Sequence, residues 1–392
     1  MIELKLEVNE VPLNANKELK NSITKPFIYY LCNFDYPYLN TFVIVDFPSD
    51  KITYVKSDSK ENKKLVKDKL ISGIPHSTMP INKNEFLNIM LPIDNHPTQD
   101  FRHINLKEKR MSIYTSGDLG LKNLSGTIET LTQDYEQECF YIAFKKIDNS
   151  STEYYKIALD LTKVEFLFDD KGIMDSLPHQ VVRFKNFIVS MGWSQEDSLI
   201  LIYNLNTKKI QTIYNDKYPS HSIIKNDALY YSSVNVIIDG LELEYRDPAI
   251  IGKLIKDKDE LIIENIFDHV TGYRFTSHRY LDPDTIITIG YPNRIFFIDA
   301  NTMELKFFKD IDKTILPPKL LKLFLNKLYK GGYSDPYKYS SFEISQDQKY
   351  IILFNQENIR LFNIEHQEIE IEIPFAKEKN YIQVTQHCDF LK

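Results

Sequence analysis

Three stretches of the chain place a histidine directly before a strand, a polar turn and a second strand. They are PHQVVRFKNFIVSMG from Pro178, SHSIIKNDALYYSS from Ser220 and SHRYLDPDTIITIG from Ser277, and they carry His179, His221 and His278. The same frame holds Glu343 in FEISQDQKYIILFN, Glu138 in ECFYIAFK and His76 in PHSTMPINKNEFLNIM, and the last strand runs into QHCDF with His387. Neutral imidazole is a ligand for iron, copper, zinc or nickel. Four rings brought to one point (His179, His221, His278 and His387) would hold such an ion. Glu138 or Glu343 could then accept the outward N–H of a ligating ring and fix its tautomer. His76 is on-frame and far upstream, a further candidate for an axial channel, whereas His103, His269 and His366 fall off-frame or in a turn.

Residues so far apart in sequence meet only if the fold repeats. The chain does repeat a hairpin: an alternating run, then Asp or Asn with a short polar turn, then another alternating run. Copies are TFVIVDFPSDKITYV (41–55), KIALDLTKVEFLF (156–168), ILIYNLNTKKIQTIY (200–214), IFFIDANTMELKFF (295–308) and IRLFNIEHQEIEI (359–371), turning at Asp46, Asp160, Asn204, Asp299 and Asn363. Short Asp and Asn side chains bond back to the local backbone and suit tight turns. The spacing predicts four-stranded blades, and about 45 to 55 residues per blade gives a seven-bladed, all-β propeller that uses the whole chain, 1–392, as one domain. In that fold the innermost strands surround the axis, so equivalent strand heads converge. The segment LPPKLLKLFLNKLYK (316–330) departs from the pattern and predicts an inserted amphipathic helix, serving as a cap, a lid or a peripheral membrane contact.

Composition narrows the function. Lys and Arg number 48 against 55 Asp and Glu, a net charge of −7, which disfavours a phosphate-backbone binder and so a nucleic-acid partner. Three cysteines, Cys32, Cys139 and Cys388, encode neither a disulfide framework nor a CxxC clamp. The N-terminus lacks the pattern of a signal peptide and no apolar run is long enough to span a bilayer, so a cytoplasmic location is expected. Nucleophile-elbow, phosphate-loop, dinucleotide and HExxH motifs are absent.

The order of these residues resembles the carotenoid cleavage oxygenases. His179, His221 and His278 in mid-chain and His387 near the end follow that family's four-ligand order, and SHSIIKNDALYYSS looks like its second ligand strand. The sequence departs from the family at Cys388, where a glycine is expected, and before Tyr350, where Ser345 to Lys349 replace an acidic signature. The resemblance implies Fe(II) held by the four histidines, with dioxygen and a small apolar alkene, apocarotenoid- or stilbene-like, as substrates of oxidative cleavage. Two other classes fit the residues. One is a metal-dependent lyase or hydrolase acting on a polar substrate, and the other is a non-catalytic propeller that binds a partner.

Overall fold

The computed structural model describes residues 1–32, 41–57, 64, 74–91, 100–121, 124–125, 132–134, 136–146, 148, 150–174, 178–192, 198–215, 218–234, 237–239, 242–244, 249–270, 274–291, 294–311, 341–354, 358–374 and 383–390. They form a seven-bladed β-propeller. Blade 1 runs outward from Ile74–Asn82 through Glu85–Leu91 and Asp100–Asn105 to Arg110–Thr115, with Ile2–Lys5 added at its outer edge. Blade 3 (178–215), blade 4 (218–270), blade 5 (274–310) and blade 6 (341–374) are four-stranded antiparallel sheets, and blade 4 carries an extra small hairpin of Ile237–Asp239 and Glu242–Glu244. Blade 2 begins with two short pieces, Leu124–Ser125 and Gln133–Asp134, both paired with Cys139–Lys146. Blade 7 closes the ring. Its innermost strand is Gln383–Phe390, paired with Phe27–Cys32, and Thr41–Asp46, Lys51–Lys56 and Glu7–Pro12 complete it outward.

The strands alternate because both faces of each blade are buried against neighbours. Val43 and Val45 pack with Ile352 and Leu361 of blade 6, while Ile44 between them packs with Phe86 and Ile113 of blade 1. Six apolar clusters fill the seams between blades all the way round.

The hairpin turns obey the chemistry read from the sequence. Asp46 Oδ1 accepts from Ser49 N at 2.9 Å, Asn204 Oδ1 from Asn206 N at 2.9 Å, Asp299 Oδ1 from Asn301 N at 2.9 Å and Asn363 Oδ1 from Glu365 N at 2.9 Å. Asp160 Oδ1 accepts from Thr162 N at 3.0 Å. The only helix among the described elements is Lys17–Ser22. No helix among the described residues is long and apolar enough to cross a membrane. The helix expected over 316–330 lies outside the described residues.

Candidate metal site on the inner strands

His179, His221 and His278 all stand on innermost strands, Pro178–Phe184, Tyr218–Lys225 and Arg274–Asp282, and all are buried, at 3, 7 and 1 % exposure. Each of these strands carries a bulge, where two residues oppose one on the next strand. His179 and Gln180 share the bulge of blade 3, opposite Met191. Ser220 and His221 share that of blade 4, opposite Ser232. In blade 5 the pair is Thr276 and Ser277, opposite Ile289, so His278 falls just past the bulge and pairs directly with Thr288. The histidines that share a frame in the sequence therefore hold different positions in the sheets.

That difference decides where the rings go. His179 and His221 meet, with Nε2 to Nε2 at 3.4 Å and ring planes inclined at 74°. His278 instead turns toward the seam with blade 4 and donates Nε2–H to the carbonyl of Tyr230 at 3.1 Å. Its Nδ1 is buried with no hydrogen-bond partner among the described residues. Burial pushes its pKa down to about 4 against the opposing effect of the Tyr230 hydrogen bond, so the ring is neutral near pH 7. No three His, Cys, Asp or Glu side chains among the described residues converge as a metal site would require. Of the set that the sequence places together, the described side chains that meet are the pair His179 and His221, and His278 does not join them. His76 sits at the bulge of blade 1, and His387 lies in the irregular stretch of the closing strand where three residues oppose Tyr30. The side chains of both lie outside the described residues.

Of the two glutamates, only Glu343 stands on an inner strand as the sequence predicts. Glu138 is exposed, in a turn at φ 48°; the strand that follows it is the second of blade 2, because the first is broken into short polar pieces that carry no apolar signature. Glu343 does lie on the innermost strand of blade 6, buried, but its Oε1 accepts from Arg279 Nε at 2.9 Å and Nη2 at 2.8 Å. A guanidinium from blade 5 thus occupies the carboxylate expected behind a histidine.

One residue escaped the sequence reading. Gln180 Oε1 accepts from Ser222 N at 2.7 Å and Ser222 Oγ at 3.0 Å, while its Nε2 donates to Thr132 Oγ1 at 2.8 Å. It follows His179 as Ser222 follows His221, so this amide locks the two histidine-bearing strands side by side and ties both to blade 2. Its signal was a lone amide inside the apolar run HQVV.

The 3.4 Å between the two Nε2 atoms suits either an N–H···N hydrogen bond between the rings or two ligands of one ion, for which metal–nitrogen distances of about 2.05 Å would give an angle of roughly 110°.

No protein-family model matches the chain, and no curated protein matches it. Among solved structures it is similar to the dihydro-heme d1 dehydrogenase NirN in complex with DHE, at 9 % identity and a TM-score of 0.51, over 90 % of this chain and 74 % of that one. It is equally similar to a putative 6-phosphogluconolactonase from Bacteroides uniformis, at 10 % identity and 0.51, over 94 % and 99 %. At such identities the likeness is one of fold, and it places the chain among β-propellers.

Proposed function

We propose that this protein is a metal-dependent propeller enzyme that holds a divalent transition metal between His179 and His221 at the heads of neighbouring inner strands. The observation that supports it is the approach of two Nε2 atoms of buried histidines to 3.4 Å, a separation within reach of one ion. Gln180 positions the pair by fixing the two strands. Two imidazoles leave coordination positions for further ligands and substrate. Iron(II) is the ion implied by the resemblance to the carotenoid oxygenases; it would supply dioxygen activation, and the substrate would be a small apolar alkene.

Elemental analysis of untagged protein purified without oxygen tests this, comparing wild type with His221→Ala. Near-stoichiometric metal that is lost in the variant is expected, and iron would direct the search to alkene oxygenation. A wild-type protein that retains no metal after incubation with Fe(II), Zn(II), Cu(II) or Ni(II) would overturn it.

A further inference from the structure

The inner strands of blades 3 and 4 run on from the histidines to their hairpin ends, where they wall a second site. A cleft of about 380 Å³ opens there between blades 2, 3 and 4, lined by residues 132–134, 182–185 and 224–227 with Glu136 and Tyr141. Arg183 is four residues beyond His179, about 13 Å along the strand, so the cleft is separate from the histidine pair.

Its charges balance: Arg183, Lys185 and Lys225 face Asp134, Glu136 and Asp227. They are not all matched pair by pair. Asp134 Oδ2 accepts from Arg183 Nη1 at 3.0 Å and from Tyr141 OH at 3.1 Å, and Glu136 lies 3.6 Å from the same Nη1. Arg183 is therefore held by one corner. Its Nε and Nη2 have no partner among the described residues, and the side chain is 24 % exposed. Lys185 faces Asp227 at 3.3 Å. Lys225 has no carboxylate partner among the described residues and stands over the Tyr280 ring at 4.5 Å. In the same wall, Gln133 Oε1 is turned from water with no hydrogen-bond partner among the described residues, an arrangement that costs free energy until a donor arrives.

We propose that this cleft binds a small organic acid that carries a hydrogen-bond donor beside its carboxylate, an α-amino or α-hydroxy acid. The open Nε and Nη2 edge of Arg183 matches the two oxygens of a planar carboxylate. The adjacent ammonium or hydroxyl satisfies the Gln133 oxygen once the amide rotates toward the cleft. Three carboxylates in the wall oppose a multiply charged phosphate, whereas a monoanion adds a single charge and a zwitterion none. This site stands independently of the metal.

Calorimetric titration of the full chain with α-amino acids, α-hydroxy acids and inorganic phosphate tests it. One of the acids should bind with Kd below about 1 mM, and the panel member shows whether the donor is an ammonium or a hydroxyl. Gln133→Leu and Arg183→Met should each weaken it roughly tenfold or more. The Gln133 variant serves as the folding control, since removing an orphaned acceptor should not lower Tm. The proposal fails if no acid binds at about 10 mM, if both variants bind like wild type, or if phosphate binds as tightly as the acids. Binding should survive a chelator; its loss would move the acid to the metal and overturn the cleft as its site.

Discussion

His278 resists protonation in the folded protein, and this should be visible in stability. Burial lowers its pKa from 6.5 to about 4, while in the unfolded chain the ring titrates normally. Between those values the unfolded state binds the additional proton, so stability falls as pH drops through that window and is unaffected by this ring above it. The loss by pH 4 is on the order of 3 kcal/mol. Urea unfolding of wild type and His278→Gln at pH 7.5 and 4.5 checks it: the variant should lose less stability on acidification. Equal losses would show that His278 titrates normally. A second residue-scale expectation concerns Gln180. Gln180→Leu should lower metal retention while leaving both histidines in place, because Ser222 then lacks the acceptor that draws the two strands together. Metal content measured beside the far-UV spectrum separates positioning from unfolding, and full metal occupancy in the variant would refute the role. At this scale the sequence revealed which side chains could do chemistry, but not which would meet. Whether a ring points at a neighbouring ring or into a blade seam depends on one residue of bulge register, and His221 and His278 both follow a serine and look alike in the sequence.

The hairpins were legible for a physical reason: their Asp or Asn side chain makes the turn that the strand pair needs. The structure adds a regularity. Four residues after Asp46, Asn204, Asp299 and Asn363 come Asp50, Lys208, Met303 and Gln367, all at positive φ between 56° and 59°. The unbroken backbone of a left-handed residue closes each turn. The same device recurs at Asn105 and Lys109 in blade 1, with Lys109 at φ 52°, a copy that sequence inspection missed amid the charged run NLKEKR. In blade 2 the inner strand is interrupted, so Cys139–Lys146, the strand whose apolar run makes it look like the first in the sequence, stands second. Among the described glycines, Gly252 leaves a Cβ the least room. It pairs with Tyr231 across blade 4, and a Cβ there would stand 2.3 Å from the Tyr231 ring, which is fully buried. Gly252→Ala should destabilise by about 1–3 kcal/mol, and Tyr231→Leu in the same chain should recover part of the loss. Unchanged thermal unfolding in the single variant would mean that the ring moves aside freely.

Ring closure belongs to the whole molecule and has no local signature. Gln383–Phe390, at the far end of the sequence, supplies the innermost strand of a blade whose other strands lie within the first 56 residues. Nothing in either segment alone announces the partner. The number of blades was inferable from length and period, but not which strand closes the ring. Closure gives every blade a neighbour on both sides, with the seam between blades 6 and 7 filled by Tyr54, Tyr350 and Phe354 and that between blades 7 and 1 by Leu4, Ile44 and Phe86. Removing the closing strand should therefore do more than delete one strand's contacts. Phe27–Cys32 would become an unpaired edge beside the axis, available to pair with another chain. The circuit of seven mutually buttressed blades would also become an open row. Deletion of residues 383–392 should lower Tm by many degrees, broaden the unfolding transition as blades lose their shared cooperativity, and drive association detectable by light scattering. Adding residues 383–392 as a separate peptide should restore part of the stability, because the strand's hydrogen bonds to Phe27–Cys32 do not require chain continuity. A truncated protein that stays monomeric with the wild-type Tm would show that the six remaining blades and the rest of blade 7 hold the ring without their closing strand.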